Sequence, residues 1–304
     1  MGHMNKLLCI VFTSEYDLHC GPFKWIHPFD TSKWGRIARE IDQFFDENIL
    51  CFRPRKPITD AQLRLVHSEN FIRGLKSHRV IVGTSESILF YFWPISLIER
   101  VVIEPLRYQT CGTIMAALLA LRFGSAVNLG GGFHHCSADR SQGFCFFADI
   151  FLMIRKIWSI CVKKKKALAK VMIVDCDAHQ GNGYAQDVLQ LEPSYKKLIY
   201  IIDLFNPHIY PNDHKAKLAI DREIHIEFST SDEQYLKLLD YHLGASFDDD
   251  GFKPDLIIFN AGSDIISGDR LGRLNISTKG LIQRDELVFR FAKKRHVPVL
   301  MLLR

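Results

Sequence analysis

Three stretches of the chain concentrate residue types that can do chemistry. The first reads Gly130-Gly131-Gly132-Phe133-His134-His135. Its glycines let the backbone turn tightly and approach a ligand, and its adjacent histidines offer two imidazoles at one place. The second reads Asp175-Cys176-Asp177-Ala178-His179-Gln180-Gly181-Asn182-Gly183. With strand-like alternation, Asp175, Asp177 and His179 share one face, so two carboxylates and an imidazole converge. The third, Asn260-Ala261-Gly262-Ser263-Asp264, adds another carboxylate. Taken singly, these have bland readings: an Asp behind a strand is often a helix N-cap, and neighbouring histidines are more often structural than catalytic. The Asp-x-Asp-x-His run resists that reading, because burying two carboxylates together without a cation is costly. Asp177, His179 and Asp264 together make an Asp-His-Asp set. Three protein ligands with a fourth position open is the arrangement of a catalytic zinc, which brings the pKa of bound water to about 7.

Such residues need elements to hold them. From about residue 110 onward, helical and strand patterns alternate. Gly112–Phe123 predicts an apolar helix closed by Gly124, and Ser125–Leu129 a short strand running into the three glycines. Asp149–Val162 is amphipathic and helical. Val171–Val174, Leu198–Ile202, Asp255–Phe259 and Val297–Leu303 are near-continuous apolar runs, broken only by the leading Asp255, the pattern of strands covered on both faces. Helices are expected between them at Ser231–Leu243 and Thr278–Arg295. Strand alternating with helix predicts a mostly parallel sheet in a three-layer αβα arrangement. Ligands of such sheets bind beyond the carboxyl ends of the strands, in the loops 130–143, 175–183, 203–213 and 260–272. Nearly every unusual polar residue of the chain lies in one of them.

Composition narrows the class further. The 304 residues are 47% hydrophobic and 24% charged, which excludes a disordered or collagen-like chain. A net charge of +5 falls short of the basic stripe of a dedicated nucleic-acid binder, so no direct nucleic-acid binding is expected. The basic run Lys163–Lys166 reads as a solvated helix end. The apolar stretch Ser87–Ile98 is interrupted by Pro94 and too short to span a bilayer. Eight scattered cysteines without a C-x-x-C pair read as reduced, buried thiols of an intracellular protein. Met1-Gly2-His3-Met4 reads as a cloning scar, and residues 5–304 as one catalytic domain.

The motifs also carry a resemblance. Leu129–Ile150 (LGGGFHHCSADRSQGFCFFADI), Asp175–Gly183, His208–Asp213 (HIYPND) and Asn260–Leu274 (NAGSDIISGDRLGRL) resemble the zinc-dependent histone deacetylases. The match is nearest to the class IV branch, which His27-Pro28-Phe29-Asp30 and Pro105–Thr113 also resemble. It covers roughly residues 10 to 303 and implies an arginase/deacetylase-like fold. Asp177, His179 and Asp264 match the family's zinc ligands. His134 and His135 match its tandem histidines, with His135 as general base and acid and His134 as an electrostatic partner. By the same resemblance Asp175 orients His134. Asn182 stands where class I members carry a second orienting Asp, which leaves His135 less basic. Gly132, Phe133, Gly143 and Phe144 line an acyl-lysine tunnel, with Tyr210 on the opposing wall. A structural potassium is expected beside the Asp175–His179 loop.

The implied activity is zinc-dependent hydrolysis of acetyl- or long-chain fatty-acyl-lysine in histone tails or other proteins, with a role in chromatin regulation, in the nucleus or cytoplasm. Ureohydrolases share the fold class but need a second Asp-x-Asp pair, and Ser263-Asp264-Ile265-Ile266 supplies a single carboxylate. Family members continue past the last strand into a Gly-Gly-Tyr motif whose tyrosine donates to the oxyanion, whereas this sequence stops at Arg304. Loss of such a donor costs about 10²–10³ in kcat, so the expectation is a chain that binds zinc and acyl-lysine and turns over poorly. The alternative is a catalytically impaired acyl-lysine binder or scaffold.

Overall fold

The computed structural model describes residues 7–18, 30–43 and 48–304. Met1–Met4, Cys20 and His27-Pro28-Phe29 lie outside the described residues. The chain divides into two compact units, Met1–Lys156 and Ile157–Arg304.

In the first unit, strands β1 (Leu8–Val11), β2 (Ile49–Phe52) and β3 (Ser125–Asn128) pair in the order β2-β1-β3, all parallel. The helix feeding β3 runs over Glu104–Phe123, beginning eight residues before the expected Gly112. A π-helical turn, Glu99–Ile103, leads straight into it. Pro105, which lacks an N–H, stands at the junction where the π-helical turn passes into the α-helix. The helix ends at Gly124, whose φ of 98° is open to glycine at little cost.

The second unit holds β4 (Val171–Asp175), β5 (Ile199–Phe205), β6 (Arg222–His225), β7 (Leu256–Asn260) and β8 (Val299–Leu302). They run in the order β8-β7-β4-β5-β6, and their pairings are again parallel. Every residue of β4, β5, β7 and β8 is buried, as their apolar runs required, and the polar Asp175, Asp203 and Asn260 are buried with them. Helix Thr278–Arg295 has its predicted bounds, capped by the Ser277 side chain accepting from Gly280 N–H. Helix Asp232–Asp248 runs a turn beyond Leu243 and starts in a capping box of Ser231 and Gln234.

Register decides where the loops emerge. Asp175 at the end of β4 pairs with Asn260 of β7 on one side and Asp203 of β5 on the other. Three of the loops expected to carry chemistry therefore leave the second unit side by side. The seven described cysteines are thiols; four are buried as expected, whereas Cys111 and Cys161 are half-buried and Cys51 is exposed. Lys163–Lys166 are all exposed, and no described helix is long and apolar enough to cross a membrane.

Candidate metal centre and histidine loop

The Asp-x-Asp-x-His spacing builds its own turn. Asp177 N–H donates to Asp175 Oδ1 (3.1 Å), and His179 N–H donates to Asp177 Oδ1 (2.9 Å). Each carboxylate thus captures the backbone two residues on, the habit that makes Asp a turn former. The neighbouring loop is drawn in where Ala178 N–H donates to Asp264 Oδ1 (2.8 Å). Gly262 is obligatory here: a Cβ would sit 2.6 Å from the Asp177 Cα and collide with its carboxylate.

His179 Nδ1 consequently lies 2.7 Å from Asp264 Oδ2 and 3.1 Å from Asp177 Oδ1. The three ligand atoms all fall within 4.8 Å of one another. Burial disfavours a charged imidazole, but the two carboxylates outweigh it and raise the His179 pKa to about 10. The Asp264 carboxyl is pushed up by burial and by the neighbouring Asp177 charge. This is a site that attracts positive charge. One nitrogen and two carboxylate oxygens suit zinc, and three protein ligands leave a coordination position open. Asp175 lies outside this cluster. It accepts from Asn260 Nδ2 (3.0 Å) and the Tyr184 hydroxyl (2.9 Å).

The remaining predicted residues of the second unit are Asn182 and Tyr210. Asn182 is buried at the first turn of helix Asn182–Leu189, its amide 3.5 Å from Asp213 Oδ2. Tyr210 is 43% exposed, in a loop held by reciprocal bonds between Gln180 and the Asp213 backbone (2.8 and 2.9 Å).

The tandem histidines belong to the first unit. His134 and His135 are 0% and 2% exposed, and their Nε2 atoms lie 3.1 Å apart. The loop before them depends on Gly131 and Gly132, at φ of 80° and 77°. Consecutive positive φ values turn amide hydrogens inward, and a buried carboxylate meets them. Asp149 Oδ2 accepts from Gly132 N–H (2.8 Å) and the Thr113 hydroxyl (2.7 Å), while its Oδ1 accepts from Phe133 N–H (2.8 Å). Burial raises the Asp149 pKa against these opposing hydrogen bonds. A Cβ on Gly131 would collide with the Thr113 hydroxyl.

Gly143 and Phe144 both sit in the left-handed region, at φ of 52° and 63°, and Phe144 N–H donates to Thr84 O (2.9 Å). Their loop is pinned at both ends by His67. One ring nitrogen is 2.7 Å from Ala138 O, and the other accepts from Ala148 N–H (3.1 Å). Burial pushes the His67 pKa down to about 4, so the ring is neutral, with Nδ1 as the donor.

Sequence reasoning missed Tyr184, Asn260, Asp149 and His67. Tyr184 directly follows Gly183 and was within reach. Asp149 looks like any acidic residue opening a helix, and His67 stands 71 positions from the carbonyl it meets.

Comparison with known proteins agrees with these motifs. The histone deacetylase domain matches residues 27–304. Histone deacetylase 2 of Arabidopsis thaliana is 40% identical over 297 residues, covering 96% of this chain and 73% of that protein. Histone deacetylase 8 of Xenopus tropicalis is 26% identical over 178 residues, 56% of this chain and 45% of that one. The solved HDA15 HD domain shares the fold, with a TM-score of 0.71 at 19% identity over 98% of this chain and 83% of that one. A parallel α/β chain with this site is a hydrolase of the deacetylase type. It belongs to the histone deacetylase domain family.

Proposed function

We propose that this chain is a zinc-dependent lysine deacylase of the class IV kind. The observation that carries the reading is the Asp177–His179–Asp264 cluster, whose imidazole Nδ1 addresses both carboxylates. These residues would hold zinc, which when bound supplies a Lewis acid that polarises the amide carbonyl and acidifies water. His135 takes the proton of the attacking water and returns it to the departing lysine amine. His134 stabilises the charge that develops, and Asp175, fixed by Tyr184 and Asn260, orients His134. Asn182 in place of a carboxylate supports the class IV assignment, since a neutral amide leaves His135 less basic. Gly132, Phe133, Gly143, Phe144 and Tyr210 are assigned to the acyl-lysine tunnel.

A potassium ion beside the Asp175–His179 loop belongs to the same reading. Asp203 Oδ1 is buried without a hydrogen-bond partner, and burial together with the Asp175 charge drives its pKa up. A monovalent cation there would relieve both. The substrates are acyl-lysine segments of histones or other proteins, in the nucleus or cytoplasm. The class IV resemblance points to a long fatty chain in preference to acetyl, and each added methylene would gain roughly 0.8 kcal/mol when buried. Steady-state rates on acetyl- and myristoyl-lysine versions of one peptide test this. The expected result is a higher kcat/KM for myristoyl. Hydrolysis of the acetyl peptide alone would return the reading to a plain deacetylase.

A further inference from the structure

One fully buried cation has no part in the chemistry above. Arg284, on helix Thr278–Arg295, is 1% exposed. Its Nη1 donates to two carbonyls at once, Cys176 O at 3.1 Å and Gly262 O at 2.6 Å. Cys176 immediately precedes Asp177, and Gly262 stands two residues before Asp264. The other edge of the guanidinium is held by Asp285, whose Oδ1 accepts from Nε and Nη2, each at 2.8 Å. Its Cζ lies 5.4 Å from the Phe259 ring centroid, near the end of β7. Burial opposes the charge of Arg284, and the Asp285 carboxylate more than restores it.

We infer that Arg284 is a positioning residue for the metal centre, its single guanidinium setting the distance between the loops that carry Asp177 and Asp264. The inference rests on the metal-centre reading and adds a residue to it. Three features of the geometry support it. The two carbonyls lie beyond the ends of β4 and β7, and the last bond between those strands there is Cys176 N–H to Asn260 O (3.0 Å), one residue short of Asp177. The loops are already in contact at Gly262, so a small shift of either displaces a ligand. Arginine suits the task because its planar fork offers several donors in fixed directions, which a lysine ammonium cannot do. A buried charge is also a costly way merely to fill space, and an apolar side chain of the same volume would do so with no desolvation penalty.

The test separates positioning from packing by reading zinc affinity instead of activity. Wild type, Arg284→Met and Arg284→Lys are titrated with zinc against a chromogenic chelator, and each is melted with and without the metal. Loss of a group that orients metal ligands costs about 10–100-fold in affinity. Arg284→Met is expected to show that loss, and its zinc-induced gain in Tm should shrink in step, since the gain depends on concentration over Kd. Arg284→Lys keeps the charge near Asp285 but cannot reproduce the fork, so it should also bind more weakly. It carries the test should the methionine variant not fold. Variants that melt lower but bind zinc within twofold of wild type would overturn the role of Arg284 and leave the metal centre standing. A wild-type chain that binds no zinc in this titration would overturn both.

Discussion

The Asp177 and Asp264 loops of the second unit and the histidine loop of the first solve the same problem with charges of opposite sign. In both, the backbone has left its strand and its polar groups need new partners. Around Asp177 the amides are consumed locally, by Asp175 and by Asp177 itself, which leaves carbonyls for a cation. Arg284 takes those of Cys176 and Gly262. Around His134 two glycines of positive φ turn amides inward, and the anion Asp149 receives Gly132 and Phe133. The sign of the buried clamp follows from which backbone groups the local turn leaves over. Neither clamp is assigned to touch substrate.

The comparison implies that damage to one loop should leave the other working, and four variants test this in decreasing order of effect. Asp177→Ala should abolish zinc retention and with it turnover, because two ligands hold the ion poorly against water. Elemental analysis showing full zinc occupancy in this variant would remove Asp177 from the ligand set. His135→Ala should keep zinc and lose about 10²–10⁴ in kcat, the usual worth of a proton-transferring side chain. A near wild-type rate would make His135 structural.

Asp149→Asn should lower kcat by about 10²-fold with zinc affinity unchanged, the cost of misplacing a catalytic group by roughly 1 Å. Whichever way the new amide faces, its NH₂ confronts a backbone donor, either Gly132 or Phe133. A fall in zinc affinity equal to the fall in kcat would show that the two loops are not held independently.

The smallest effect concerns His67. Its folded pKa of about 4 lies below the 6.5 of an ordinary histidine, so the unfolded chain binds the proton more readily. Its contribution, about 3 kcal/mol, is fully present above pH 6.5 and is lost as pH falls from there toward 4. Thermal melts between pH 7 and 5 should fall more steeply for wild type than for His67→Gln, whose amide can both donate and accept without titrating. Equal slopes would contradict the neutral clamp.

Much of this was legible before any coordinates, and the reason is local. Helix Thr278–Arg295 announces itself through a Ser cap and an apolar period, and β4, β5, β7 and β8 through unbroken apolar runs. Two of the three proposed ligands, Asp177 and His179, showed because an Asp-x-Asp-x-His spacing is both a turn signal and a donor set, and Asp264 showed as the carboxylate of a separate strand-end loop. Strands β1, β2 and β6 were not anticipated. β6, Arg222-Glu223-Ile224-His225, buries only Ile224, and so carries no apolar run to notice. The clamps were invisible for a different reason. Arg284 and Asp149 bind backbone atoms 22 to 108 and 16 to 17 positions away, and a backbone partner leaves no mark in the residue types.

The central claim is that this chain hydrolyses acyl-lysine with a metal held by Asp177, His179 and Asp264. It is tested most directly by following conversion of one acyl-lysine peptide to the deacylated peptide and free carboxylate in three states of the same preparation: as purified, stripped of metal, and repleted with one equivalent of zinc. The account predicts that activity disappears on stripping and returns on repletion. Full activity in protein shown by elemental analysis to be free of metal would contradict it.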